Sequence, residues 1–380
     1  MLMMTKVTSR RILVLTTLGM IAVVGCASRA PEIPFALSPE AEKLEPKSQE
    51  QIRELLREEC GTLTRPKLLG ETIADRNYLS HGSAVYRQQC ATCHGINGDG
   101  KGTAAEHLYP RPRNFLAGIF KFTSTGNQKK PLRDDLIKLV KRGAIGTSMP
   151  AFDILPERDL NAVVDYVLAL ARKGEFESRL VLEAESLGEP IASSDIPAIK
   201  ESVLDRWKSA AGEVVIPRTT MPIFTVESVK AGKRLFTAAG CVKCHGEDGR
   251  GMIVSNPPLK DVWGNETRAA DLTAGMFHGG GEPIDLYRRI AAGITGSPMP
   301  SHQDLPELKL TPSEPDPIWN LVAFVQYVSN QRRRGEIPHA DHLVLTDAAA
   351  SVPGVIEPST SPGSSATPGG AAAGASKSAP

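Results

Sequence analysis

Apolar residues along this chain recur at helical spacing, and no segment alternates with the period of two that a half-buried strand shows. Ile52, Leu55 and Leu56 fall on one helix face, Leu136, Leu139 and Val140 on another, and Leu286 and Ile290 on a third. Helices carrying Val85 and Tyr86, or Leu235 and Phe236, run straight into a cysteine pair. Gly143 and Gly293 stop the two middle helices, as glycine does just past a helix end. Pro156 and Pro317 open a last helix in each half from N1-like positions. A further helix through Ile199, Val203 and Trp207 lies between the halves. The pattern predicts an all-α protein without a large sheet. The apolar run from Ile12 to Val24 spans 13 residues, too few for the roughly 20 that a transmembrane helix needs.

The pattern also repeats. Leu136, Gly143, Gly146, Met149 and Pro150 recur as Leu286, Gly293, Gly296, Met299 and Pro300, 150 residues later. Cys90-Ala91-Thr92-Cys93-His94 recurs as Cys241-Val242-Lys243-Cys244-His245 at an offset of 151. Val164-Asp165-Tyr166-Val167 is answered by Val325-Gln326-Tyr327-Val328, which puts an insertion near residues 303–316 of the second copy. Two copies of one domain joined by a linker are expected. The divisions read as 1–25 signal peptide, 26–77 tether with a short helix, 78–173 first domain, 174–225 helical linker, 226–345 second domain, and 346–380 tail. That tail is almost wholly Ala, Gly, Ser, Pro and Thr, a composition that stays disordered.

Composition narrows the class. With 44 Lys and Arg against 43 Asp and Glu the formal charge is +1, so no nucleic-acid partner is expected. Lys6, Arg10 and Arg11 before the apolar run make a secretory signal. It ends in Val23-Val24-Gly25-Cys26, which resembles the lipobox of bacterial lipoproteins. That resemblance implies lipidation of Cys26 and a periplasm-facing protein held to the membrane by its acyl chains. Ala27, rather than an aspartate, follows the cysteine and points to the outer membrane.

The chemistry resides in Cys-x-x-Cys-His, the attachment signature of c-type haem, present twice. Cys90 and Cys93, and Cys241 and Cys244, are the covalent attachment candidates, with His94 and His245 as axial ligands to the iron of two c-type haems. A thioredoxin-like redox pair would need a βαβ setting, and a zinc site would need spaced histidines. Met149 lies 55 residues beyond His94 and Met299 lies 54 beyond His245, each in a Gly-x-x-Met-Pro turn, which marks both as sixth-ligand candidates. A thioether opposite histidine raises the potential and suits electron transfer. His81, His107, His278 and His302 are alternative ligands that read better as loop or surface histidines. Trp207 and Trp263 read as packing residues, as does Cys60.

Together these motifs resemble the class I cytochrome c family over residues 78–173 and 226–335. The resemblance implies three to four helices around each covalent haem. It also implies a loop proline carbonyl holding each proximal histidine, Pro257 in the second copy and Pro110 or Pro112 in the first. The family's packing of a first-helix aromatic on a last-helix aromatic maps onto Tyr86 with Tyr166 and Phe236 with Tyr327. The function implied is an electron carrier between respiratory enzymes, from a quinol-oxidising complex to a terminal oxidase or reductase, with redox proteins as partners and no small-molecule substrate. A dihaem redox enzyme resembling thiosulfate dehydrogenase, with Cys60 as a thiolate ligand, or a peroxidase with one open iron, is the alternative.

Charge separates the two copies. Residues 95–148 carry a net +6 and residues 246–298 a net −2. Electrons are therefore expected to enter at the second domain and leave from the first towards an acidic acceptor, through a patch that includes Lys129 and Lys130.

Overall fold

The computed structural model describes residues 32–73, 75, 77–251, 258–305 and 315–333. Ten α-helices order the described residues: α1 Pro46–Cys60, α2 Tyr78–Gln89, α3 Ala91–His94, α4 Arg133–Arg142, α5 Glu157–Leu187, α6 Ile196–Lys208, α7 Val226–Ala238, α8 Val242–His245, α9 Pro283–Ala292 and α10 Ile318–Arg333. Among the described residues only isolated β-bridges accompany them. The protein is all-α. Residues 1–31, with Cys26 and the apolar run, and the tail lie outside the described residues.

Each half is built on one helix crossing. In the first, α2 packs across α5 and Tyr86 meets Tyr166 edge to face, centroids 5.2 Å apart. Contact this close requires glycine at the crossing, since a Cβ on Gly82 would lie 2.1 Å from the Ala162 carbonyl oxygen. In the second, α7 crosses α10, and a Cβ on Gly232 would lie 2.0 Å from the Asn320 carbonyl. The aromatic that meets Phe236 is Phe324, at 5.1 Å, where Tyr327 was expected. Ala162 therefore corresponds to Asn320 and Tyr166 to Phe324, a register one turn away from the one the Val-x-Tyr-Val match suggests. Three residues along a helix return to nearly the same face, so the apolar pattern fits either register.

Pro156 and Pro317 each stand one residue ahead of their helix. At the other junction, Gly143 and Gly293 end α4 and α9 with φ of 74° and 71°. There the chain folds back so tightly that a Cβ on either would lie 2.6 Å from the carbonyl carbon of Pro150 or Pro300. The methionine turns are thus laid against the ends of the middle helices.

The boundaries drawn at 77 and 173 do not divide the molecule. Helix α5 runs on for 31 residues, and Phe176, Leu180, Val181 and Ala184 continue its buried stripe beyond the first domain. Ile52, Leu56 and Cys60 of α1, and Val203, Leu204 and Trp207 of α6, complete one core with it. The segment read as a tether and most of the linker therefore form part of the first folded unit. Residues 172–177 of this stripe are mostly charged. In the structure they pair inside: Lys173 with Glu177 at 2.7 Å, and Lys130 with Glu175, which also accepts from Trp207 Nε1 at 2.6 Å. Val215 and Phe224 belong to the second core, so the second unit begins near there.

Candidate haem sites

The first cysteine pair sits where α2 ends and the short α3 begins. Cys90 N–H donates to the Tyr86 carbonyl at 2.8 Å, and His94 N–H donates to the Cys90 carbonyl at 2.9 Å. Cys90, Cys93 and His94 are thereby gathered on one turn. Cys241, Cys244 and His245 are gathered in the same way, with His245 N–H on the Cys241 carbonyl at 3.0 Å. All four thiols are unpaired despite the spacing. Before haem attachment, burial raises the Cys90 thiol to about 12 and the Cys241 thiol to about 11, so both would be protonated near neutral pH.

His94 Nδ1 lies 3.0 Å from the Arg113 carbonyl oxygen, and His245 Nδ1 lies 3.1 Å from the Ala270 carbonyl oxygen. A carbonyl can only accept, so the proton is on Nδ1 in both and Nε2 carries the lone pair a metal needs. Burial holds both imidazoles below the ordinary histidine value, which keeps them neutral. Phe115 stacks on His94 with centroids 4.6 Å apart, whereas Phe236 lies tilted at 6.3 Å from His245. Tyr86 adds a hydroxyl bond to the Gly95 carbonyl at 2.8 Å, which Phe236 cannot make.

These contacts correct the expected proline anchors. The acceptor for His94 is the Arg113 carbonyl, beyond both Pro110 and Pro112. The acceptor for His245 is Ala270, while Pro257 itself lies outside the described residues. The loop closes further along than the prolines because Phe115 N–H and Leu272 N–H bond the Gly98 and Gly249 carbonyls, at 2.7 and 2.8 Å, fixing where each strand of loop passes the imidazole. Any residue supplies a carbonyl, so no side-chain pattern could have pointed to Arg113 or Ala270.

The methionine turns match bond for bond. Ala144 N–H donates to the Met149 carbonyl and Ile294 N–H to the Met299 carbonyl, each at 3.2 Å. Met149 N–H donates to Thr147 Oγ1 at 3.1 Å, and Met299 N–H to Ser297 Oγ at 3.3 Å. Both methionines are half-buried. Of the other histidines, His81 bonds Asp159 at 2.7 Å, and His302 lies near enough to His245 for charge on it to disfavour protonation there.

The two sites face a shared interface. Arg113 lays its guanidinium on Trp263, 3.7 Å from the ring centroid, and Lys121 pairs with Asp261 at 3.5 Å. His278 Nδ1–H donates to the Ile145 carbonyl at 2.5 Å, and Gln128 N–H donates to Thr295 Oγ1 at 3.0 Å. Ile145 and Thr295 each precede the glycine of a Gly-x-x-Met turn, so each turn is held by the opposite domain. Trp263 is therefore a junction residue as well as a packing one.

Much of the cationic surplus is consumed internally. Lys130 is 4% exposed and paired with Glu175, Lys129 pairs with Glu213, Arg133 with Asp165 and Arg142 with Asp285. The docking patch expected at Lys129 and Lys130 therefore loses its buried member. Lys101, Arg111, Lys138 and Lys141 stay exposed.

Two helical units, each presenting a thiol pair, a neutral imidazole with its Nδ1 anchored and a methionine turn, define a protein with haem sites of the c type. Comparison with known proteins agrees. Residues 77–167 match the family described as cytochrome c oxidase, cbb3-type, subunit III, and residues 229–329 match the cytochrome c family. The chain carries two cytochrome c-type domains in tandem and, with them, two covalently bound c-type haems. It is 23% identical over 206 residues to the Cbb3-type cytochrome c oxidase subunit CcoP of Helicobacter pylori (strain 52), a match covering 54% of this chain and 46% of that relative. A chain of the Kuenenia stuttgartiensis reducing HAO-like protein complex aligns over 69% of this chain and 99% of its own, at 26% identity and a TM-score of 0.49.

The residues present fit the group. Unpaired thiols can form thioethers with the porphyrin vinyl groups, and each Nε2 is free to donate to iron. When bound, the haem supplies a one-electron couple.

Proposed function

We propose that this protein is a one-electron carrier of the respiratory chain, with His94 and Met149 as axial ligands in the first domain and His245 and Met299 in the second. The observation that carries this reading is the matched pair of sites: an anchored, neutral imidazole in each, followed by the same hydrogen-bonded methionine turn. With a histidine and a methionine both holding each iron, the haem would supply a one-electron couple and no open position for a substrate. The likeness to an oxidase subunit supports redox proteins as partners, with electrons passing from a quinol-oxidising complex to a terminal oxidase or reductase. Cys26 anchors the protein through its acyl chains and leaves it facing the periplasm, with Ala27 favouring the outer membrane. No helix among the described residues is long and apolar enough to cross a membrane.

The enzyme reading through a Cys60 thiolate has the packing against it. Cys60 is 1% exposed among the side chains of the first core, and burial raises its thiol to about 12. The deciding experiment is absorption and electron paramagnetic resonance spectroscopy of the haem-loaded protein. Two low-spin ferric haems that bind little carbon monoxide once reduced are the expected result. A stoichiometric high-spin signal overturns the carrier in favour of an enzyme with an open iron.

A further inference from the structure

Two residues in the proximal loops set the domains apart. The His94 acceptor is the carbonyl of Arg113, whose side chain reaches into the opposite domain. The His245 acceptor is the carbonyl of Ala270, an exposed residue with only a methyl group. Arg113 rests its guanidinium 3.7 Å from the centroid of Trp263. Trp263 is itself pinned on two sides. Its backbone N–H donates to Asp261 Oδ1 at 3.1 Å, and its ring edge fills the space at Gly296, where a Cβ would lie 2.7 Å from it.

We infer that the second domain acts as a clamp on the first domain's proximal histidine: by holding the Arg113 side chain, Trp263 holds the Arg113 carbonyl against His94 Nδ1–H. Arg113 and Trp263 are positioning residues in this scheme. The strength of the Nδ1–H bond sets how basic the imidazole is towards a metal, so docking of one domain tunes the ligand of the other. The second site has no such dependence. The Arg113 side chain is half-buried, as one enclosed between two domains would be. The inference rests on His94 being an iron ligand, as proposed above.

The test uses the full-length, haem-loaded ferric protein and follows by NMR the exchange with solvent of the two hyperfine-shifted Nδ1 protons, those of His94 and His245. Trp263→Ala removes the wall behind Arg113. Arg113→Lys keeps the charge and the backbone carbonyl but loses the flat stacking face, and it decides the matter alone if Trp263→Ala does not fold. In each folded variant the His94 proton should exchange about tenfold faster or more, with His245 unchanged. Trp263→Phe, which keeps a flat ring, should restore most of the protection. An unchanged His94 proton in Arg113→Lys overturns the clamp and leaves the ligand reading intact. Absence of the His94 proton from the wild-type spectrum overturns both.

Discussion

Gly82 presses so closely on Ala162 that a Cβ on the glycine would lie 2.1 Å from the alanine's carbonyl oxygen. Backbone cannot retreat as a side-chain tip can, so Gly82→Ala must push α2 away from α5 and pull Tyr86 off Tyr166. We expect it to cost on the order of 2–3 kcal/mol, in the overpacking range. Gly188 is the control. It ends α5 in the left-handed region, φ 69°, with nothing within 4 Å of an added Cβ. Gly188→Ala should cost only about 1 kcal/mol, the penalty for an L-residue there. Denaturant unfolding of the haem-loaded protein compares the two, and equal losses would refute the close-approach account.

Lys130 and Lys129 should behave differently although they are adjacent. Lys130 is buried against Glu175, so Lys130→Glu places two carboxylates in one enclosed site. Even removing one partner of such a pair costs about 3–5 kcal/mol. Lys129 is 46% exposed beside Glu213, and exposed pairs are worth under about 1 kcal/mol. Expression and thermal melts of the two charge reversals should show loss of folded protein for Lys130→Glu and little change for Lys129→Glu. If a cationic surface on the first domain meets an acidic acceptor, Lys138→Glu with Lys141→Glu slows that reaction and weakens its salt dependence, as stopped-flow mixing would show.

Ligation is tested site by site. Met149→Ala should remove the sulfur-to-iron charge-transfer band of the first haem only, and Met299→Ala that of the second only. His302 provides the contrast, because it lies near His245 and follows Met299 by three residues. His302→Ala should leave the second haem low-spin. If it produces a high-spin signal where Met299→Ala does not, the ligand assignment in that domain passes to His302.

Cys60 gives the pH dependence. Burial raises its thiol from an ordinary 9.0 to about 12, so the folded protein holds this proton through a range in which the unfolded chain has lost it. Its contribution to stability is complete below pH 9 and is lost as pH rises from there towards 12. Cys60→Ala should abolish that part of the alkaline decline and leave both haem spectra unchanged. A thiol reagent at pH 8 should modify Cys60 only with global unfolding.

The all-α class, the repeat and the two thiol–imidazole turns were legible in the sequence because each is local. Helical spacing is written in consecutive turns, and Cys-x-x-Cys-His needs five consecutive residues. The histidine acceptors were not legible, since a backbone carbonyl leaves no mark in the choice of side chain. The register of α10 escaped because Phe324 and Tyr327 are both aromatic and lie one turn apart on the same face. The boundary at 173 missed the continuation of α5, because the partners that let Glu175 be buried, Lys130 and Trp207, lie far from it in the sequence. Trp263 read as packing because its partner, Arg113, lies 150 residues away in the sequence.

The uninterrupted run of α5 makes the two halves unequal as building blocks. A gene fusion or domain exchange that cuts at residue 173 would sever the helix in mid-course and strip α1 and α6 of the surface they cover. The earlier half is a unit only with α1 before it and α6 after it, whereas the later half has its own core from about residue 215. Recombination among proteins of this kind would, by that logic, preserve the earlier unit whole and trade the later one.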